Sequence, residues 1–284
     1  MTRDSEDIID CMARMKGEEQ PFAVATIVQV EGAAAARAGA KAVVRGDGEI
    51  VGWIGGGCTT GAVRRAGLRA LVDGQARLIR VRPEDDSAGG ADGIETFRSV
   101  CPSEGTIEVF IEPVLPRPAL LVAGASPVAR ALADLAERLG YAVTVAALGA
   151  DLDGFSDSAE RIEGFDLGQA PRAQSSFIVV ATQGKRDREA LHAALLTGAP
   201  YVAFVGSCKK GAVLRKAMAA AGVDPARIAA LKSPAGLHLG SVTPEEIALS
   251  ILAEIVQQRR TGGDAAARPG EALDPLLAPA PPSP

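Results

Sequence analysis

Cys58 is the side chain in this sequence best placed to do chemistry. It directly follows Gly55-Gly56-Gly57, behind the apolar residues Ile50, Val51, Trp53 and Ile54. Ahead of it Val63, Ala66, Gly67, Ala70 and Leu71 recur at helical offsets. The pattern predicts a strand over 50–54, a glycine turn and a helix near 60–72. Glycines at a strand-to-helix junction let a ligand approach bare backbone, and the amides there suit an anion such as a phosphate. A thiol at that point binds a soft metal or acts as a nucleophile, and helix N-termini favour the thiolate form. The alternative is a sharp turn that needs glycine, with Cys58 as a small buried filler.

Three further loops are candidates. Gly124-Ala125-Ser126-Pro127 follows an apolar run at 119–123 and resembles a dinucleotide fingerprint in which Ser126 replaces the second glycine and Ala129 the third. Ser126 could give its hydroxyl to a phosphate, with Pro127 at the first helical position. Gly206-Ser207-Cys208-Lys209-Lys210 follows the Tyr201–Val205 strand, where Ser207 and a lysine could hold a phosphate; a solvated basic helix start is the plainer reading. Thr182-Gln183-Gly184 is a second strand-end wall. We expect the Gly124 and Gly206 loops on neighbouring strands. The second strand of this region ends Val145-Ala146-Ala147-Leu148, with no Asp or Glu for a ribose 2′-hydroxyl, which weighs against a conventional NAD site. Cys101-Pro102-Ser103 could bring a second thiol towards Cys58.

Other chemistry is constrained by what is scarce. The four cysteines, Cys11, Cys58, Cys101 and Cys208, have no CxxC spacing, so neither a zinc site nor a disulfide framework is indicated. Only His192 and His238 are present, the first in a helical stretch and the second in a Gly-flanked turn, so neither is expected in a strand-end loop. Aromatics make up 4% of the chain, which argues against a stacking platform for single-stranded nucleic acid. A net charge of −5 gives no footprint for nucleic acid or acidic membranes, although Arg64, Arg65 and Arg69 could serve one small anion. No apolar run approaches the ~20 residues of a membrane span, and the acidic first ten residues are no secretory signal, so we expect a cytoplasmic protein.

These residues are positioned by two expected domains, which 284 residues allow. Residues 1–112 read as a mixed α/β domain, with a helix over 5–16, a β-rich run over 22–30, a strand over 76–81, an acidic Gly-rich loop over 83–93 and a closing strand around Ile107, Val109 and Ile111. Pro113, Pro116 and Pro118 mark a linker over 113–118. Residues 119–260 alternate strands with helices, which predicts a Rossmann-like, doubly wound parallel sheet. Its first helix carries Val128, Ala131, Leu132, Leu135, Ala136 and Leu139. Its last begins at the capping box Thr243-Pro244-Glu245-Glu246 and presents Ile247, Ala248, Ile251, Leu252, Ile255 and Val256 on one face. The Gly-, Ala- and Pro-rich residues 261–284 read as a disordered tail.

Taken in order, these motifs resemble the XdhC/CoxF family of accessory proteins that mature molybdenum hydroxylases, closest to the CoxF branch linked to carbon monoxide dehydrogenase. The resemblance rests on Gly32…Gly39-Ala40-Lys41, Gly52-Trp53-Ile54-Gly55-Gly56-Gly57-Cys58 and Cys101-Pro102-Ser103-Glu104-Gly105. It continues through Gly124-Ala125-Ser126, Gly206-Ser207-Cys208-Lys209-Lys210 and Pro234-Ala235-Gly236-Leu237-His238-Leu239-Gly240, and spans residues 5 to 258. There are departures. Gly32-Ala33-Ala34-Ala35-Ala36-Arg37-Ala38-Gly39 stands where the family often has two serines and two arginines, and Thr60 replaces a common Glu. The frequent Asp after the second Rossmann strand is missing, and the family's Thr-His pair reads Thr182-Gln183.

The resemblance implies a chaperone for molybdenum cofactor, in the molybdopterin cytosine dinucleotide form, that assists its sulfuration and hands it to an apo molybdenum hydroxylase such as the carbon monoxide dehydrogenase large subunit. Expected cofactor-binding residues are Arg37, Lys41, Gly55, Gly56, Gly57, Cys58, Gly124, Ser126, Thr182, Gly206, Ser207, Lys209 and Gly236. Cys58 and Cys101 are the expected reactive thiols, with Cys58 at the metal. Expected partners are a sulfur donor, a second family member and a second copy of the chain as a homodimer, with no nucleic acid. The alternative is a nucleotide-dependent oxidoreductase using the Rossmann-like domain.

Overall fold

The computed structural model describes residues 7–32, 36–83, 94–99, 105–170 and 176–261. All but Pro83 of the expected loop over 83–93, Cys101 and the expected tail beyond Thr261 lie outside them. The chain divides into two compact units, residues 1–116 and 117–284. Among the described residues no helix is long and apolar enough to cross a membrane.

The first unit is a sheet with helices on both faces. Its elements are α1 (Ile8–Gly17), β1 (Phe22–Glu31), β2 (Lys41–Arg45), β3 (Ile50–Gly52), α2 (Gly57–Asp73), β4 (Arg77–Pro83), β5 (Glu95–Ser99) and β6 (Thr106–Val114). The strand order is β3-β2-β1-β6-β4-β5. All pairs are antiparallel except β4 with β5. Period-two alternation puts Ala23, Ala25 and Ile27 of β1 and Ala42 and Val44 of β2 under Ala62, Val63, Ala66 and Ala70 of α2. On the opposite face Phe22 and Val43 close a smaller cluster with Cys11 and Met15 of α1. A Cβ on Gly67 would stand 2.9 Å from Val44 Cγ2, so glycine lets α2 lie close on β2.

Three elements differ from the expected pattern. β3 stops at Gly52, whose φ of 96° turns the chain out of the sheet, so Trp53 is exposed and only Ile54 returns to the core. β5 was not legible, because Glu-Thr-Phe-Arg-Ser carries one large apolar residue, Phe97, which packs against the α2 side of the sheet. β6 continues through Pro113, opposite Ala23, to Val114.

The second unit contains β7 (Ala119–Ala123), α3 (Pro127–Arg138), β8 (Ala142–Ala147), β9 (Glu160–Glu163), β10 (Phe177–Val180), α4 (Asp187–Leu196), β11 (Tyr201–Phe204), α5 (Cys208–Ala220), α6 (Pro225–Ala230) and α7 (Pro244–Thr261). Its sheet is wholly parallel in the order β11-β10-β7-β8-β9. Such a sheet must be covered on both faces, and its strands read as continuous apolar runs. One core gathers α3 and α7 against it, with Leu132, Ala136, Ile251 and Ile255 buried. The other gathers α4 and α5, with Leu191, Leu195, Leu214 and Met218 buried. This is the expected Rossmann-like, doubly wound architecture. The winding reverses beside β7, with β8 and β9 on one side and β10 and β11 on the other, which creates a switch point between β7 and β10.

Helix ends follow their sequence signals. Ser126 Oγ accepts from Ala129 N–H at 3.1 Å to start α3 behind Pro127. At α7, Thr243 Oγ1 accepts from Glu246 N–H at 3.3 Å while Glu246 Oε2 accepts from Thr243 N–H at 3.0 Å. The apolar stripe of α3 is rotated by about one position. Ala129, Leu132, Ala133 and Ala136 are buried, whereas Val128 and Leu135 are partly covered and Leu139 is exposed. On α7 the stripe ends at Ile255, and Val256 is partly exposed.

Candidate functional site

In the first unit, α2 begins three residues earlier than the sequence periodicity predicts, so Cys58 sits in its first turn. Gly56 is the N-cap and contributes no side-chain hydrogen bond. Thr60 Oγ1 donates instead to Gly56 O at 3.1 Å. Gly55 adopts a φ of 108°, and a Cβ there would touch Ala36 and Thr59 at 3.5 Å. At Gly56 and Gly57 a Cβ would meet nothing within 4 Å, so the turn presents open backbone. Cys58 is half-buried and unpaired in any disulfide, unlike Cys11, which is fully buried. The turn is therefore accessible, and Cys58 is not a core filler.

The neighbouring cations are less committed to this turn. Arg37 is exposed, on the segment whose Ala36 packs beside Gly55. Lys41 is also exposed and gives its ammonium to Thr26 Oγ1 at 2.8 Å. The arginines of α2 do not form an anion cluster. Arg64 donates to Gly48 O at 2.9 Å, Arg65 stacks over the Phe97 ring at 5.2 Å and Arg69 pairs with Glu95. Among the described residues no group of three or more His, Cys, Asp or Glu could hold a metal ion.

The second unit carries two cavities at the carboxyl ends of its strands. The smaller, about 70 Å³, lies at the switch point, between the Gly124-Ala125-Ser126 turn after β7 and Thr182, Gln183 and Lys185 after β10. Gly124 is required there. Its φ is 116°, and a Cβ would fall 2.5 Å from Ala181 O. Ser126 is buried, and its oxygen serves the α3 cap. Thr182 is buried too, and its hydroxyl donates to Asp187 Oδ1.

The larger cavity, about 530 Å³, lies beyond β11. Gly206, Cys208, Gly236 and His238 line it together with Leu237, Leu239 and Ile247. Ser207 caps α5 by accepting from Lys210 N–H at 3.3 Å, and its side chain is exposed. Lys209 is exposed and has no ion-pair partner among the described residues. Lys210 instead reaches Asp187 Oδ2 at 2.5 Å. Gly236 donates its N–H to Glu254 Oε2 at 2.9 Å, which fixes the turn that forms one wall.

One expectation is corrected here. The Gly124 and Gly206 loops do not lie on neighbouring strands, because β10 stands between β7 and β11 and each loop lines its own cavity. His238 lies in the turn between α6 and α7 and not in a strand-end loop, yet that turn lines the larger cavity, because the return from α6 to α7 passes the end of β11, with Lys232 bridged to Ala203.

The comparisons with known proteins follow the same division. The XdhC and CoxI family matches residues 16–82, and the XdhC Rossmann domain matches residues 120–255. The chain belongs to the XdhC family. A protein of Escherichia coli strain K12 called uncharacterized protein YqeB is 34% identical over 254 residues, covering 86% of this chain and 45% of its own length. A probable xanthine dehydrogenase subunit from Bacillus subtilis strain 168 is 29% identical over 164 residues, 55% of this chain and 47% of its own. The chain thus matches under half the length of either curated relative. A crystal structure described as a xanthine dehydrogenase from Bacillus halodurans aligns over 94% of this chain and 99% of that one, at 21% identity with a TM-score of 0.46.

The sequence reading missed Asp151, Lys185, Asp187 and the pairing of Cys208 with His238 in one cavity. Asp187 had a signal, since an acid in the first turn of a helix after a strand-end glycine is a common anchor. His238 and Cys208 are 30 residues apart, and only the path of the chain brings them together.

Proposed function

We propose that this XdhC-family chain takes up molybdenum cofactor in its molybdopterin cytosine dinucleotide form, assists its sulfuration and delivers it to an apo molybdenum hydroxylase, in the manner of the CoxF branch that serves carbon monoxide dehydrogenase. The observation that carries this reading is Cys58, half-buried in the first turn of α2 behind the open backbone of Gly56 and Gly57. A soft thiol beside glycines with open space in front of them suits a molybdenum centre on an anionic pterin. In the first unit Cys58 and Cys101 serve as the reactive thiols, with Cys58 at the metal, while Arg37, Lys41, Gly55, Gly56 and Gly57 take the anionic part. In the second unit Gly124, Ser126 and Thr182, and Gly206, Ser207, Lys209 and Gly236, take nucleotide phosphate and sugar. The name of the Bacillus subtilis relative supports a molybdenum hydroxylase, the carbon monoxide dehydrogenase large subunit in our reading, as the partner. A sulfur donor and a second copy or second family member complete the assembly.

The test is to mix the full chain with a cofactor-loaded donor, reisolate it and measure molybdenum by elemental analysis and pterin by mass spectrometry. Near-stoichiometric retention of both is expected, without oxidation of NAD(P)H. Steady NAD(P)H oxidation with no retained molybdenum or pterin would favour a nucleotide-dependent oxidoreductase instead.

A further inference from the structure

The strand end that lacks a ribose-binding acid in sequence is supplied with one in space. After β8 the chain makes a 3₁₀ turn over Gly149–Gly154, and this turn brings Asp151 to the cavity formed by the Gly124–Ser126 turn and Lys185. β7 lies between β8 and β10 in the sheet, so Asp151 and Lys185 reach this cavity from opposite sides of the glycine turn. Lys185 Nζ stands 3.2 Å from Asp151 Oδ2 and 3.5 Å from Oδ1.

The position of Asp151 is built in. Arg130 of α3 sends Nη2 to Asp151 O and Nε to Ala125 O, each at 3.4 Å, so one guanidinium joins the 3₁₀ turn to the glycine turn. Its other face lies over the Phe155 ring at 5.4 Å. The guanidinium fills a slot left by Gly154, where a Cβ would fall 1.0 Å from Nη1. This backbone clamp sets where the carboxylate emerges.

We propose that Asp151 accepts the vicinal hydroxyls of a ribonucleotide whose phosphate is drawn to Lys185 and the Gly124–Ser126 turn. This rests on the reading that the second unit holds the nucleotide part of its cargo, and it names the group that recognises the sugar. An ionised carboxylate has two acceptor oxygens and suits a cis-diol. The Asp151–Lys185 pair is partly exposed, and such pairs contribute little, so a phosphate can draw the lysine away at small cost. A cavity of about 70 Å³ is far below the ~300 Å³ of a pocket for a whole ligand. It therefore meets only the hydroxyl edge of the sugar and the phosphate of a larger molecule whose remainder lies outside.

The test uses the full chain and calorimetric titration with ADP and CDP and with their 2′,3′-dideoxy forms. Wild-type protein should bind at least one ribonucleotide tenfold or more tightly than its dideoxy form. Asp151→Asn should abolish that ratio and leave dideoxy binding unchanged, whereas Lys185→Met should weaken both forms alike. Gly154→Ala, which displaces the guanidinium of the positioning residue Arg130, should shrink the ratio with only a small change in thermal unfolding. Ribonucleotide binding that ignores both the sugar and Asp151 would overturn this inference and leave the nucleotide reading standing. No binding of either nucleotide to wild-type protein would overturn both.

Discussion

Lys210 Nζ stands 2.5 Å from Asp187 Oδ2, tying the first turn of α5 to the first residue of α4. The other oxygen of Asp187 accepts from the Thr182 hydroxyl and, at 3.0 Å, from Gly184 N–H. One carboxylate thus links the turn that lines the small cavity to the helix start that lines the large one. Lys210 also lies 5.5 Å from the Phe204 ring centroid, which helps to hold it over the end of β11.

This pair should give the protein an acid-sensitive component of stability. Burial would raise the Asp187 pKa, but the hydrogen bonds from Lys210, Thr182 and Gly184 outweigh it and hold the group below its ordinary 3.8. A depressed folded pKa contributes stability above the unfolded value, and that contribution is lost as pH falls below about 4 towards the folded pKa. Asp187→Asn should cost about 1–2 kcal/mol at pH 7, discounted because Lys210 is over a third exposed. Urea unfolding of both proteins at pH 7 and pH 3 checks this. A gap of equal size at both values would show that the carboxylate charge is not the source.

The sequence carried the fold further than it carried the cavities. The parallel sheet was legible because strands such as Leu120–Ala123 and Ile178–Val180 are buried on both faces and show as unbroken apolar runs. Helix starts were legible at Ser126 and Thr243, where a side chain caps them, but not at α6, which Asp224 caps in the same way. Strand order was not legible, since nothing local says that β10 slots between β7 and β11. That is why the Gly124 and Gly206 loops were expected side by side. Asp151 escaped notice because it lies four residues past Ala147, and only the 3₁₀ turn brings it back to the cavity.

A second tether should matter at the large cavity. Tyr201 O–H donates to Glu254 Oε2 at 2.6 Å, and the same oxygen accepts from Gly236 N–H. Tyr201→Phe removes one donor and should cost about 1 kcal/mol, while Glu254→Ala strands a buried hydroxyl and should cost about 2–3 kcal/mol. Burial, then the hydrogen bond and charge of Glu254, push the Tyr201 pKa well above its ordinary 10.0. That contribution is present below pH 10 and is lost as pH rises further. Alkaline unfolding should therefore be displaced in Tyr201→Phe, and coincident curves would argue against the tether.

Ser207 offers a way to change charge without changing the fold. Its side chain caps α5, and aspartate caps a helix as well as serine does. Ser207→Asp should leave thermal unfolding within a degree or two while placing a negative charge beside the Gly206 loop. With the phosphate at Lys185 and the Gly124–Ser126 turn, affinity for ADP or CDP should stay unaltered in calorimetry, because the Gly206 loop lines a different cavity. A several-fold fall would move the phosphate to the Gly206 loop.

The cysteines should separate structure from function. Cys11 is wholly buried with Met15, Phe22 and Val43, so Cys11→Ala leaves a small cavity and should cost about 1–2 kcal/mol without touching the Gly55–Gly57 turn. Cys58 belongs to none of the buried clusters, and alanine is the best helix former for its position in α2. Cys58→Ala should therefore keep the melting temperature, yet lose most of its molybdenum retention and its ability to raise the activity of the target hydroxylase. Brief treatment with iodoacetamide should label Cys58 and Cys208 before Cys11, following their exposure. Full maturation of the target by Cys58→Ala protein, with labelling in the expected order, would show that the thiol is accessible but has no part in the chemistry.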